Sequence, residues 1–307
     1  MKQAVIDIGS NSIRLTLYET DKGSFKILFR KKIMAGLAGY VKKGVLSGEG
    51  IECACEGLNE FKSILQALHV DNISVFATAS LRNISNSEQA LETISASTGF
   101  FVEILSGEDE ALLGYSGAMM DVSVTSGAFF DIGGASTEIV SFDNGNPVDF
   151  VSFPVGSLSL YNCCVTKILP GKTSLKRIKK TVSKSIRFKG RNSAARSLVV
   201  GVGGTARAAL KLARHYYSLP ADCSSVTSKQ LDELVEFLCS GEKQAVDFIL
   251  KLAPERIHTL LPGMLILQHV LNVFKTQEFI VSKYGVREGY LCQRILKSND
   301  EVSETDE

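Results

Sequence analysis

Short runs of β-branched and aromatic residues open the chain, and longer stretches with apolar residues at helical spacing follow them. Three apolar runs at 3–8, 12–19 and Ser24–Ile33 predict a β-meander. Ser47 is a suitable N-cap for a helix whose apolar positions recur between 51 and 68. The rest of this region predicts, in order, strand Ile73–Ala77, helix Glu88–Ser97, strand Phe101–Leu105 and helix Glu108–Met120. The first third of the chain is therefore predicted as a β-β-β-α-β-α-β-α unit.

A second meander is predicted from Val124 onward, with strands at 127–132, 136–142 and 148–153. The elements predicted after it are a short helix following Gly156, helix Ser174–Phe188, strand Ser197–Val200, a helix opened by residues 201–205, helices near 228–239 and 243–252, a helix from Pro262 to Val273, strand Phe279–Ser282 and helix Val286–Lys297. This alternation is typical of an α/β protein.

A short motif occurs once in each region. Asp7-Ile8-Gly9 recurs as Asp131-Ile132-Gly133, and Ser12 falls where Ser136 falls. The copies begin 124 residues apart (positions 7 and 131), which is too far for a solenoid repeat and suits two copies of one domain. We predict a domain at 1–122 and another at 123–298, with a cleft between them.

Each motif is interpreted as a strand, a tight glycine turn and a second strand. Glycine permits positive φ, so several backbone N–H groups can converge on one anion, typically a phosphate. Ser136 and Thr137 add hydroxyl donors to the second copy, while Asp131 and Glu138 are suitable magnesium ligands. A hairpin with a polar tip is the plain alternative, but the repetition favours phosphate binding.

The composition indicates a globular protein with more than one core. The chain has 307 residues, of which 45% are hydrophobic and 22% charged. We find no apolar run of about 18 residues and no signal peptide, so a cytoplasmic protein is expected, without a membrane partner. Seven cysteines without a Cys-x-x-Cys pair argue against a disulfide framework and a zinc site.

The net charge is only +1, but the charged residues are distributed very unevenly along the chain. No Asp or Glu occurs from Phe150 to Ala221. The same window contains 14 basic residues: Lys167, Lys172, Lys176, Arg177, Lys179, Lys180, Lys184, Arg187, Lys189, Arg191, Arg196, Arg207, Lys211 and Arg214. A region of one sign attracts polyanions, so we interpret it as a polyanion track. The tail at 299–307 is acidic and is predicted to be disordered.

Carboxylates at 108–110 are the best candidates for orienting a water molecule. Glu108 and Asp109 are explained by the preference for acidic residues at a helix N-terminus. Glu110 lies at the junction of the two repeats, where we expect the cleft to open. None of the four histidines has an evident partner.

Three other segments resemble known functional motifs but lack part of each pattern. Residues 170–173 resemble the end of a P-loop, but Thr166 replaces its first glycine. Residues 201–206 resemble a dinucleotide fingerprint, yet no second strand precedes Asp222. Ser157 lacks the spacing of a hydrolase nucleophile elbow.

Six motifs in order resemble the exopolyphosphatase and guanosine pentaphosphate phosphohydrolase family of the actin-like ATPase superfamily. They are residues 7–15, 78–86, 104–111, 131–138, 201–205 and 285–289. The resemblance implies two actin-like (ribonuclease H-like) domains, each with a mixed sheet led by a β-meander and flanked by helices. It also implies a short, two-domain form of the family and a homodimer.

The resemblance further implies Mg²⁺-dependent release of terminal phosphate from polyphosphate or pppGpp. Glu110 matches the catalytic base, with Glu138 as a second catalytic residue, and Asp7, Asp131 and Glu138 match metal-binding positions. The positions that match phosphate or nucleotide contacts are Gly9, Ser10, Asn11, Ser12, Arg14, Arg82, Gly133, Gly134, Ala135, Ser136, Thr137, Gly203, Gly204, Thr205 and Arg256. Arg287 and Glu288 are expected to hold the last helix in place. Ala135 departs from the family pattern, which has a third glycine there.

We expect an exopolyphosphatase, because a long polyanion needs a track whereas a nucleotide needs only a pocket. A pppGpp phosphohydrolase of the stringent response has the same chemistry and stays open, with ppGpp as a further ligand. A non-catalytic alarmone or phosphate sensor is the alternative from another class, and Glu110 argues against it. A fourth alternative is an actin-like ATPase or sugar kinase, although adenosine-pocket and sugar-pocket signals are not evident. Nucleic acid is not expected as a partner.

Overall fold

Alternating apolar and polar residues form the strands of two mixed sheets, and helices with one apolar face cover them. The computed structural model describes residues 1–21, 23–187 and 195–297. Phe188, Lys189, Arg191 and the predicted acidic tail at 299–307 lie outside the described residues.

The first unit comprises Met1–Leu113 and the chain from Val286. Its strands are β1 (Lys2–Ile8), β2 (Ile13–Asp21), β3 (Ser24–Ile33), β4 (Val41–Lys42), β5 (Val45–Leu46), β6 (Ile73–Ala77) and β7 (Val102–Ile104). Its helices are α1 (Gly48–Ala67), α2 (Ala79–Arg82) and α3 (Ser87–Thr98), and α4 (Gly107–Met119) begins in it. Ser47 caps α1 as predicted, since its side chain accepts a hydrogen bond from the Gly50 N–H.

The main sheet of this unit has the order β3-β2-β1-β6-β7. Strands β1, β6 and β7 run parallel, while β2 and β3 form the antiparallel meander. Helices α1 and α3 pack their apolar residues, such as Phe61 and Ile94, on one face of the sheet. The carboxyl ends of β1, β6 and β7 therefore meet at one edge, which is where ligands bind in sheets of this kind.

The second unit comprises Gly114–Gly285. Its strands are β8 (Gly127–Ile132), β9 (Thr137–Asp143), β10 (Asn146–Phe153), β11 (Leu198–Val202), β12 (Ser225–Thr227) and β13 (Glu278–Val281). Its helices are α5 (Ser157–Cys164), α6 (Lys172–Ser185), α7 (Gly203–Tyr216), α8 (Ser228–Cys239), α9 (Lys243–Leu252) and α10 (Leu260–Phe274).

The sheet of the second unit has the order β10-β9-β8-β11-β13-β12. Its first five strands repeat the order of the first unit, and β12 adds an antiparallel edge that the sequence did not predict. Short strands such as β12 and short helices such as α2 carry too few residues for a periodic signal. The repeated order confirms the duplication indicated by the two Asp-Ile-Gly motifs.

The last helix packs in the first unit, whereas the sequence predicts it as part of the second domain at 123–298. It comprises α11 (Val286–Tyr290) and a π-helical turn at Leu291–Leu296. Tyr18 Oη donates to Glu288 Oε1 at 3.1 Å, and Arg287 Nη1 donates to Thr16 Oγ1 at 2.7 Å. Arg287 and Glu288 thus hold this helix in place, as the resemblance implies. No helix within the described ranges is long and apolar enough to cross a membrane.

Candidate functional site

The glycine turn of the first unit lies between β1 and β2. The Gly9 N–H donates to the Ser12 carbonyl at 3.1 Å and closes the turn. A Cβ atom at Gly9 would lie 3.1 Å from the same carbonyl oxygen, so a side chain would crowd the turn. Gly9 does not have positive φ, so the predicted reason for glycine at this position is wrong, and the tight contact with the Ser12 carbonyl is what the structure shows instead. Within the described residues, the N–H groups of Ser10, Asn11 and Ser12 donate to no backbone carbonyl.

Two tip carbonyls are held by the segment after β3. The Gly36 N–H donates to the Asn11 carbonyl at 3.0 Å, and the Ala38 N–H donates to the Ser10 carbonyl at 2.9 Å. Arg14 Nε donates to Ser12 Oγ at 3.1 Å, and its guanidinium lies 3.8 Å from the Asp7 carboxylate. The tip is thereby fixed with its remaining N–H groups available to an anion.

Arg82 and Glu110 meet at the same edge of the first sheet. Arg82 Nη1 donates to Glu110 Oε2 at 2.8 Å and to the Leu105 carbonyl at 2.9 Å. Glu110 is buried, with only 8% of its surface exposed. The two predicted site residues are therefore one charge-assisted pair, fixed by the end of β7.

The acidic start of α4 separates into different roles. Ser106 Oγ accepts from the Asp109 N–H at 2.9 Å and caps the helix. Asp109 also binds Arg294 Nη2 at 2.7 Å, whereas Glu108 is exposed. The positions of Glu108 and Asp109 are explained by the preference for acidic residues at a helix N-terminus. Glu110 is instead the carboxylate that makes the buried contact with Arg82.

Ser80 is a residue that our sequence reasoning did not assign to the site. Its hydroxyl donates to the Ile8 carbonyl at 2.6 Å and is buried. Thr205 does the same in the second unit, where its hydroxyl donates to the Ile132 carbonyl at 3.3 Å. Ile8 and Ile132 are equivalent positions in the two units. A hydroxyl residue shortly after β6 and after β11, the fourth strand of each sheet, was the sequence signal that could have identified Ser80.

The glycine turn of the second unit lies between β8 and β9. The Gly133 N–H donates to the Ser136 carbonyl at 3.0 Å, matching the first unit. The N–H groups of Gly134, Ala135 and Ser136 donate to no backbone carbonyl within the described residues. Ala135 does not have positive φ, so alanine adopts this backbone without strain.

The N-terminus of α5 supports this turn. The Ser157 N–H donates to the Gly133 carbonyl at 2.9 Å, and Ser157 Oγ donates to it at 3.0 Å. The N–H groups of Leu158 and Ser159 both donate to the Gly134 carbonyl at 2.9 Å. A Cβ atom at Gly156 would lie 2.6 Å from the Ala135 nitrogen, so only glycine permits this approach. The sequence by itself did not indicate this role for Gly156.

The carboxylates of this turn have different surroundings. Asp131 and Glu138 face each other in the β8–β9 register. Glu138 is buried and accepts a hydrogen bond from Ser152 Oγ at 2.8 Å. Thr137 is fully buried, and its hydroxyl donates to the Val155 carbonyl at 2.7 Å. The Thr137 hydroxyl is therefore engaged by the protein rather than presented to a ligand.

A third loop joins β11 to α7 beside Asp131. Gly203 has φ 79°, which favours glycine, and a Cβ atom there would overlap the Asp131 carboxylate. A Cβ atom at Gly204 would overlap the guanidinium of Arg256. The structure thus brings Asp131, Arg256 and the 203–205 loop together at the carboxyl edge of the second sheet.

The carboxylates suit a divalent metal, although the described residues include no group of three or more His, Cys, Asp or Glu side chains placed to hold one. Magnesium is commonly held by one or two carboxylates together with water and substrate phosphates. The facing pair of Asp131 and Glu138 supplies such oxygen ligands.

The predicted basic track is exposed where it follows α6. Leu175, Ile178 and Val182 of this helix are buried, as predicted, and its basic residues are on the surface. The exposed basic residues of this segment are Lys172, Lys176, Arg177, Lys179, Lys180, Lys184 and Arg187.

Cys163 and Cys164 have adjacent thiols at the end of α5. Their Sγ atoms lie 3.0 Å apart, with Cys164 buried and Cys163 exposed. The residue as a whole is exposed, but loss of solvent around its Sγ atom and the adjacent Cys164 thiol raise the pKa of Cys163 to about 11. Cys163 is therefore a protonated, weakly nucleophilic thiol at neutral pH.

Comparison with known proteins identifies the family. The model described as "Ppx/GppA phosphatase family" matches residues 16–298. A putative exopolyphosphatase of Haemophilus influenzae is 27% identical, over 98% of this chain and 93% of the relative. An exopolyphosphatase structure from Cytophaga hutchinsonii has a TM-score of 0.85 at 21% identity, covering 97% of this chain and 98% of its own. The Ppx/GppA family structure from Aquifex aeolicus has a TM-score of 0.76 at 26% identity, covering 97% and 99%. The chain, with its two actin-like α/β units, belongs to the Ppx/GppA phosphatase family.

Proposed function

We propose that the protein is an exopolyphosphatase, which hydrolyses the terminal phosphoanhydride bond of inorganic polyphosphate and releases orthophosphate. Family membership supports phosphatase chemistry, and the Haemophilus influenzae relative carries the name putative exopolyphosphatase. The observation that carries the proposal is the buried Glu110 carboxylate, fixed by Arg82 at 2.8 Å. A carboxylate held in this way can orient water and accept its proton.

In the proposed reaction, a water oxygen attacks the terminal phosphorus and the anhydride P–O bond breaks. The shortened chain leaves with the electron pair, and the water proton passes to Glu110. Arg82 holds Glu110 in one orientation, which lowers the entropy cost of reaching the transition state. The guanidinium is also a cation close to the reacting group, where it would offset the negative charge of the phosphoryl oxygens.

Each of the three loops, taken within its own unit, offers groups that bind phosphate. The tip N–H groups at 10–12 and 134–136 provide neutral donors, and the start of α7 at 203–205 provides N–H groups with a favourable helix dipole. Arg256, against Gly204, adds a cation to the third loop. Arg14 lies beside Ser12 in the first loop. These groups bind phosphate without reading a base or a sugar.

Mg²⁺ is the proposed metal, held by Asp131 together with Glu138, with Asp7 as a further acidic position. When bound, it would neutralise charge on the phosphate oxygens. The preference for Mg²⁺ rests on the oxygen-only donor set of these side chains.

Long polyphosphate is favoured over pppGpp by the basic surface of α6, because a nucleotide has no use for charges outside its pocket. The test measures phosphate release with Mg²⁺ from polyphosphate, pppGpp and ATP in parallel. Fast release from polyphosphate alone supports the proposal. Preference for pppGpp would replace it with a guanosine pentaphosphate phosphohydrolase, and tight binding without any release would identify a sensor.

A further inference from the structure

Helix α6 carries basic residues along its exposed face, with at least one in each turn. Lys172, Lys176, Lys180 and Lys184 recur every four residues, and Lys179 lies beside them. The helix spans 14 residues, so this stripe extends over about 20 Å. No Asp or Glu occurs between Phe150 and Ala221, so the helix has no acidic residue of its own to neutralise the stripe.

The stripe borders a groove between α6 and α10, both in the second unit. The groove encloses about 570 Å³ and is lined by Lys176, Lys179, Lys180, Val182, Ser183, Leu265, Gln268, His269 and Asn272. The three lysines form no ion pair within the part of the chain that the structure describes. Asp232 is engaged by Gln268 Nε2 at 2.7 Å, and His269 Nε2 donates to the Ile186 carbonyl at 3.0 Å. The α6–α10 groove is therefore a positively charged surface with amide and hydroxyl donors.

The lining favours a polyanion without bases. Proteins that bind single-stranded nucleic acid combine a basic groove with aromatic side chains on which the bases stack. Among the residues that the structure describes, no Phe, Tyr or Trp lines this groove, and its cations are lysines, which act as point charges for phosphate. A linear polyphosphate, with one repeated anionic group, fits this chemistry better than a nucleic acid does.

The groove is separate from the glycine loops of the same unit. Gly263, near the start of α10, packs against Thr205, because a Cβ atom there would lie 2.8 Å from its hydroxyl. His269 lies about 9 Å further along the helix axis, and Gln268 and Asn272 lie on the opposite side of α10 from Gly263. A short ligand held at residues 203–205 does not reach the groove.

We infer that the α6–α10 groove is a second binding site for long inorganic polyphosphate, which retains the chain while its end is hydrolysed elsewhere. The choice of ligand rests on the proposed function, whereas the presence of a polyanion site does not. The site raises the affinity for long chains and contributes nothing to the binding or turnover of tripolyphosphate.

The test compares the full-length protein with a variant carrying Lys176→Gln, Lys179→Gln and Lys180→Gln. The matched control carries Lys229→Gln, Lys243→Gln and Lys251→Gln, which removes the same charge from exposed positions on α8 and α9 of the same unit. Binding of fluorescently labelled long-chain polyphosphate is measured in EDTA, so that no hydrolysis is needed for the readout. Phosphate release from tripolyphosphate is measured separately with Mg²⁺.

For the groove variant we expect affinity for long chains to fall on the order of tenfold or more, and the slope of log K against log salt to decrease by about 3. Its kcat and KM for tripolyphosphate should match those of the unmodified protein. Equal losses in the control variant would show that general charge is responsible and would overturn the inference. Unchanged binding in the groove variant, or tighter groove-dependent binding of single-stranded DNA than of polyphosphate, would also overturn it. Failure to hydrolyse any substrate, with groove-dependent polyphosphate binding retained, would remove the proposed function and leave the second site.

Discussion

The two units have the same sheet order and the same glycine turn, but they place different charges across it. Asp7 is in register with Arg14 in the first unit, and Asp131 is in register with Glu138 in the second. A guanidinium beside a carboxylate competes with a metal ion for it, whereas a second carboxylate adds a ligand. In the function proposed above, the Arg82–Glu110 pair is assigned to the first unit, and the proposed metal is assigned to the carboxylates of the second unit.

A similar contrast concerns the two helices that follow β7 and β13, each of which is the fifth strand of its sheet. Glu110 follows β7 and Glu288 follows β13, and both carboxylates are buried in contacts with an arginine. Glu288 also accepts from Tyr18, whose pKa is raised by burial and then by Glu288. The helix after the fifth strand thus carries a buried glutamate bound to an arginine in both cases, and this glutamate has a role in the proposed chemistry in one case and attaches the last helix in the other.

The largest predicted effect separates these two glutamates. Glu110→Gln should lower kcat for phosphate release on the order of 10²- to 10⁴-fold, because the amide cannot accept the water proton. Polyphosphate binding should change little. Glu288→Gln should instead lower the free energy of unfolding by about 1 kcal/mol, since it weakens the hydrogen bonds that Glu288 accepts from Tyr18 and from the half-exposed Arg30.

Steady-state kinetics and urea denaturation of both variants measure these effects, with the exposed Glu108→Gln as the control. Near-normal turnover of Glu110→Gln would remove this residue from the mechanism. A large loss of turnover per folded molecule in Glu288→Gln would contradict the division of roles.

The second prediction concerns how each turn is supported. Gly156→Ala should destabilise the second unit by about 2 to 3 kcal/mol, because its Cβ would overlap the backbone of Gly134 and Ala135. Gly36→Ala, at the equivalent support in the first unit, has φ 59° and no atom within 4 Å of the new Cβ, so it should cost only about 1 kcal/mol. Chemical denaturation measures the loss of unfolding free energy in both variants. Equal losses would contradict the conclusion that the backbone packs closely against Gly156 but not against Gly36.

The third prediction tests which unit holds the metal. Asp131→Asn should raise the Mg²⁺ concentration needed for half-maximal phosphate release by about tenfold. Asp7→Asn should raise it less, because Arg14 lies 3.8 Å from the Asp7 carboxylate. Binding of Mn²⁺ by electron paramagnetic resonance gives a readout that does not depend on turnover. A greater effect of Asp7→Asn would reverse the assignment.

The smallest predicted effect tests the symmetry itself. Ser80→Ala and Thr205→Val each remove a hydroxyl that donates to the carbonyl at the end of the first strand of its unit. Each should cost about 1 kcal/mol of unfolding free energy. Thermal denaturation with and without polyphosphate measures the two losses, and a strongly unequal pair would show that the hydroxyls are not equivalent.

Much of this site was predictable from the sequence. The Asp-Ile-Gly repeat, the glycine loop at 203–205 and Glu110 at the start of α4 lie on local patterns of strand, turn and helix. The family resemblance also named Arg82 and Arg256, which local spacing alone could not connect to Glu110 or Gly204. Their partners are 28 and 52 residues away (82 to 110, and 204 to 256), so only the packing of the sheet edge shows the contacts.

The sequence alone determined the two α/β repeats, the order of nearly all helices and strands, and the positions of the glycine turns, because periodicity and turn chemistry are local properties. Only the tertiary structure decided that Gly156 is a glycine for close approach, and that the helix from Val286 packs in the first unit. Those outcomes depend on which distant surfaces are buried together, as Tyr290 and Leu291 are with Phe76. Burial of that kind is a property of the packed chain and leaves no mark at a single position.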